Sequence, residues 1–162
     1  MAFYDLDKNH RLQLVEKINK DILSNIQNKK QDKLFTYFSD DDTYIRKAAY
    51  QQLGKIFKTN ISFQNSILEQ LQLLFLSEDE KLRQTVINAA GEIGIKDFEC
   101  VEYLFDKGLF DPHHIVRNAV IGSIKKMGEK NPKPILVWAK KHLHNEDKEV
   151  RREICHGIEL RG

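Results

Sequence analysis

Cysteine, proline and tryptophan are scarce in this chain: two, three and one among 162 residues. Cys100 and Cys155 stand far apart without CxxC spacing, which argues against a disulfide framework and suits a reducing compartment. Long apolar runs are missing too. No stretch reaches the roughly 18 apolar residues that span a bilayer. The opening MAFYDLDKNHRLQLVEKINK mixes acids and bases where a secretory leader carries an apolar core. The default reading is a soluble, cytoplasmic chain with no membrane partner. An excess of charge of one sign is lacking as well. Lys and Arg number 26 against 24 Asp and Glu, a formal net charge of +2, so no bulk attraction draws the chain to nucleic acid or anionic lipid. A charged partner must be read by a local patch.

Strand signals are poor, because short alternating β-branched runs bounded by Gly or Pro do not occur. Helical periodicity is everywhere instead: Val15, Ile18, Ile22 and Ile26 follow one helix face. The chain reads as all-α, and its length suits one domain or several stacked units. Self-similarity then appears. DDDTYIRKAAYQQLGKIF (40–57), SEDEKLRQTVINAAGEIG (77–94), DPHHIVRNAVIGSIKKMG (111–128) and NEDKEVRREICHGIELRG (145–162) align without gaps on Arg46, Arg83, Arg117 and Arg151. Before each arginine stands Ile45, Leu82, Val116 or Val150. Three after it come Ala49, Val86, Val120 and Ile154, and seven after it Leu53, Ala90, Ile124 and Ile158. One amphipathic helix is written four times.

Asp40, Ser77, Asp111 and Asn145 are the expected N-caps of these helices, each able to accept a first-turn amide. Pro112 is expected at the first helical position, where a missing N–H costs nothing. Between the copies lie second apolar helices, around SILEQLQLLFL (66–76), CVEYLFDKGLF (100–110) and PILVWAKKHL (134–143). The unit is a helical hairpin that cannot bury its stripe alone, which is the logic of an α-solenoid. The repeats fall at about 31–59, 60–95, 96–129 and 130–162, and residues 1–30 read as an N-terminal capping helix with Asp7 as its N-cap.

A period near 34 also suits tetratricopeptide and ankyrin arrays, but neither W-x2-L-G-x2-Y nor T-P-L-H-x-A occurs. An acid-rich turn, then aliphatic-Arg-x-x-(Ala/Val), with Gly54, Gly91, Gly94 and Gly128 towards the helix ends, resembles HEAT repeats of the armadillo-like α-solenoid class over residues 31–162. The resemblance implies a right-handed α-α superhelix. It also implies that Arg46, Arg83, Arg117 and Arg151, with the acid of the preceding turn, form a structural ladder of ion pairs between repeats. The repeats are shorter than standard HEAT units and are similar to those of bacterial scaffold proteins, phycobilisome-lyase-type proteins and the DNA alkylation-repair glycosylase families. Glycosylase members add tryptophans and a catalytic aspartate near the lesion. Here one tryptophan occurs and no aspartate matches, with Asp40, Asp41 and Asp42 better read as capping.

One residue past each arginine the helix has turned about 100° and the repeats stop agreeing. Lys47, Gln84, Asn118 and Arg152 stand there, followed four residues on by Gln51, Asn88, Gly122 and His156. With Lys125 and Lys126, these positions are the candidate inner surface, the usual binding side of a solenoid. The expected function is a non-enzymatic scaffold that holds a protein partner. The alternative is duplex DNA, because residues 117–141 carry seven bases against one acid and could release backbone counterions. No cofactor or metal is expected. His142, His144, Cys155 and His156 lack zinc spacing, and no G-x-x-x-x-G-K-[ST], G-x-S-x-G or H-E-x-x-H occurs.

Overall fold

Four of the helices start at a capping residue whose side chain takes up a first-turn amide. Asp7 accepts the His10 N–H at 2.9 Å and opens α1, Lys8–Gln27. After α2, Asp32–Phe38, the chain turns through two polar residues in series. Asp40 accepts the Asp42 amide at 2.8 Å, and Asp42 then caps α3, Thr43–Thr59, by accepting the Tyr44 amide at 2.9 Å. The pattern repeats before α5, Glu80–Gly94, where Ser77 holds Asp79 N and Asp79 holds Lys81 N. It repeats again before α7, His114–Lys130, where Asp111 holds His113 N and His113 Nδ1 accepts from Ile115 N.

The sequence expectation of caps at Asp40, Ser77 and Asp111 is therefore corrected by two residues. Those residues close the turn, and the next polar residue but one caps the helix. Pro112 accordingly sits in the turn, before the cap, and not at the first helical position. The reason is local: each turn residue also has its carbonyl occupied by the arginine six positions on, so it stays outside the helix. Asn145, the fourth expected cap, lies outside the described residues.

The computed structural model describes residues 2–143 and 148–158. Among them are nine α-helices and no strand, the remaining four being α4 Gln64–Leu74, α6 Glu102–Gly108, α8 Pro132–His142 and α9 Lys148–Ile158. The odd helices α1, α3, α5, α7 and α9 pack each on the next in one continuous row, and the even helices lie against that row. This is an α-solenoid built of hairpins, and the closely spaced odd row is its inner side. The stripe read from the sequence is the core. Ala49, Val86, Val120 and Ile154 are fully buried in α3, α5, α7 and α9, and Leu34, Leu71, Phe105 and Ala139 are fully buried in the outer helices. Burying such a Leu or Ile contributes about 1.5–3 kcal/mol. Among the described residues, no helix is long and apolar enough to cross a membrane.

Close approach within the inner row is set by glycine at one register. A Cβ added to Gly54 of α3 would lie 2.8 Å from Glu92 Cβ of α5, and one added to Gly91 would lie 2.8 Å from Ser123 Oγ of α7. Both glycines stand eight residues after the repeat arginine. In α7 that register holds Lys125, so the α7–α9 joint lacks this contact. Gly122 is different again, since an added Cβ there meets nothing within 4 Å. Gly91→Ala is expected to cost about 1–3 kcal/mol through overpacking. Gly122→Ala should gain about 0.5–1 kcal/mol, the helix-interior difference between the two residues. Urea unfolding of the two variants reads both signs, and equal effects would show that interhelix spacing does not depend on Gly91.

Candidate functional site

The repeat arginines come first, because they fix the turns that aim the inner helices. Arg46, Arg83 and Arg117 each donate from Nη1 to the carbonyl six residues earlier: Asp40 at 2.5 Å, Ser77 at 2.9 Å and Asp111 at 2.7 Å. Arg83 goes further. Its Nε and Nη2 donate to the two carboxylate oxygens of Asp111 at 2.9 and 3.1 Å, a bidentate bond between neighbouring repeats. Asp111 is 7% exposed, and its hydrogen bonds to Arg83 raise the guanidinium further above its ordinary value despite the cost of burial.

The acid in this link belongs to the following repeat, not to the preceding turn. The same turn position holds Ser77 after the first repeat, so Arg46 has no carboxylate there to fork onto. Arg151 is half-buried in α9. Its turn residue, Asn145, lies outside the described residues.

The next register carries the candidate surface. Lys47, Asn118 and Arg152 are exposed, and Gln51, Gln84 and Asn88 are half-buried. The carboxamides of Gln51, Gln84, Asn88 and Asn118 make no hydrogen bond among the described residues. The row thus presents a series of unengaged donors and acceptors on α3, α5 and α7. Between α7 and α9 the surface deepens into a groove of about 460 Å³, lined by Asn118, Ile121, Gly122, Lys125, Arg152 and His156. Lys125 Nζ lies 3.0 Å from His156 Nε2. An ammonium can only donate, so Nε2 is the acceptor of that bond.

Five of the ten surface positions read from the sequence therefore meet in one place: Asn118, Gly122, Lys125, Arg152 and His156. Lys126 does not join them. It points the other way and pairs with Glu92 of α5 at 2.5 Å. Lys47, Gln51, Gln84 and Asn88 lie further along the row. Ile121 was missed, since an isoleucine on an amphipathic helix reads as core. It packs beneath the groove with Gly157 of α9 against it, and is 8% exposed.

The basic run of residues 117–141 does not gather on one face. Arg117 is engaged by a backbone carbonyl, Lys126 by Glu92 on the inner row, and Lys141 by Glu102 of α6 at 2.7 Å. Trp138 is fully buried, its Nε1–H donating to Asp106 Oδ1 at 2.7 Å, and His142 Nε2 lies 3.2 Å from the same oxygen. These groups join α6 to α8 inside the stack. His142 is thereby separated from Cys155 and His156, and among the described residues no three His, Cys, Asp or Glu side chains gather as a metal site. Burial, reinforced by the charge of Asp97, pushes the Cys100 thiol up to about 12, which removes it as a nucleophile at neutral pH.

No family model matches this chain, and no curated protein matches it. Among solved structures it is similar to a designed armadillo repeat protein in complex with the peptide (KR)4, at 16% identity and a TM-score of 0.41. The likeness covers 89% of this chain and 69% of that one.

Removing one partner of the forked, largely buried pair leaves a desolvated charge. Arg83→Ala is therefore expected to cost about 3–5 kcal/mol. Arg46→Ala loses a charge-assisted bond to a carbonyl, about 1.5–3 kcal/mol. The order Arg83 above Arg46 in urea unfolding checks the assignment, and a reversed order would contradict it.

Proposed function

We propose that this chain is a HEAT-like repeat module that binds rather than catalyses, holding an extended segment of a protein partner along its inner helices. The observation that carries the reading is the row of unengaged carboxamides, Gln51, Gln84, Asn88 and Asn118, ending at the α7–α9 groove. A carboxamide offers a donor and an acceptor together, as a peptide backbone does. A phosphate backbone offers acceptors alone and is held chiefly by Lys and Arg. The division of the 117–141 bases among several faces favours the peptide over the duplex.

Selection of binders from a randomised displayed peptide library tests this. Chosen peptides should lose at least tenfold in affinity on Gly122→Trp, which fills the groove where a side chain meets no neighbour. Val137→Gln, on the exposed face of α8, should leave them unchanged. Binders indifferent to Gly122→Trp would move the site off the inner row. Micromolar binding of duplex DNA at about 50 mM salt with no peptide selected would replace the partner by nucleic acid.

A further inference from the structure

The α7–α9 groove differs from the rest of the inner row in its charge and in its cause. Where α3 and α5 place Gly54 and Gly91, α7 places Lys125, and its ammonium lies over the joint at 3.0 Å from His156. Arg152, exposed on α9, makes no hydrogen bond or ion pair among the described residues. Among the described residues the lining holds Lys125, Arg152 and His156 with Asn118, and no carboxylate. One residue further on α7, Lys126 is answered by Glu92 at 2.5 Å, so an acid is supplied to this row where the fold itself needs one. The floor is apolar and open: Ile121 is nearly buried, and Gly122 leaves space above it.

We propose that this groove is a seat for a carboxylate side chain, and that the partner segment held by the inner helices is acidic, carrying Glu or Asp where it crosses the α7–α9 joint. The proposal rests on the binding-module reading and adds the chemistry of the partner. Lys125 and Arg152 stand on different helices, so one carboxylate entering between them is held from two sides. Charge complementarity of this kind contributes to specificity and on-rate. Asn118, a turn before Gly122, then meets the backbone of the same segment with its carboxamide. The guanidinium of Arg152 presents a planar fork suited to both oxygens of a carboxylate, while Lys125 acts as a point charge.

Fluorescence anisotropy with three labelled ten-residue peptides decides it, one alternating Ser and Glu, one Ser and Gln, one Ser and Lys, each titrated with the intact chain at about 50 mM salt. The Glu peptide is expected to bind at least tenfold more tightly than the Gln peptide, and the Lys peptide least. Lys125→Gln and Arg152→Gln should each weaken the Glu peptide by about two- to fivefold, what an exposed ion pair is worth. Lys140→Gln removes the same charge from the exposed outer helix α8 and should leave it unchanged. Both groove lysine and arginine are at the surface, so folding of the variants is checked by their unfolding midpoints.

Equal binding of the Glu and Gln peptides, both lost on Gly122→Trp, would overturn the carboxylate seat and leave the inner-row reading standing. An effect of Lys140→Gln equal to that of Lys125→Gln would overturn it as well, since net charge alone would then explain the preference. Tighter binding of a duplex than of the Glu peptide would overturn it in favour of a phosphate occupant.

Discussion

No helix in this chain can bury its own apolar stripe, and that constraint organises everything else. An isolated amphipathic helix of 11 or 17 residues, such as α8 or α7, is marginal in water, because nucleation is costly and propensity contributes little. Packing of the stripe against two neighbours supplies what is missing. Val120 and Ile124 of α7 are buried because α5 and α9 flank them on the inner row and α6 and α8 cover them from outside. Each hairpin is thus stable only in register with the next, so the turn that sets register must be rigid. The arginine held on the carbonyl six residues before it, in Arg46, Arg83 and Arg117, supplies that rigidity. The forked bond from Arg83 to Asp111 adds a direct link from one repeat to the next.

Much of this was legible in the sequence because solenoid packing repeats a register. Aliphatic residues three and seven places after an arginine, written four times, define a buried stripe without knowledge of the partner helix. Ala49, Val86, Val120 and Ile154 are buried in full. The helix starts were less legible. Asp40 and Asp42 are both competent caps, and nothing in local propensity says which of two polar residues will close the turn and which will cap. The choice is made by Arg46, whose bond to the Asp40 carbonyl is a contact across the turn. The direction of the Arg83 link was hidden for a similar reason, since the acid that meets it lies 28 residues further on in the sequence and belongs to the next repeat.

The surface divides in the same way. The register beside the arginine could be named from the helical angle alone, and Asn118, Arg152 and His156 do meet at one groove. What the angle cannot give is depth. Depth depends on how closely two helices approach, and the glycines eight places after the arginine in α3 and α5 bear on that through packing. Lys126 illustrates the limit. It follows Lys125 directly, yet one step of 100° sends it to Glu92 and out of the groove.

A repeat protein departs from its own pattern at a cost, and the departures are therefore informative. Gly54 and Gly91 let their helices close on Glu92 and Ser123 at distances a Cβ would forbid. In α7 Lys125 takes that register and brings a charge that the core cannot accept, so its head stays at the opening beside His156. Gly122, three residues earlier, reverses the choice at a surface position, where a larger side chain would fit and favour the helix. The first places a charge over the α7–α9 joint and the second leaves space beside it. Neither is required by the packing of the inner row, and together they leave an open groove on the α7–α9 seam.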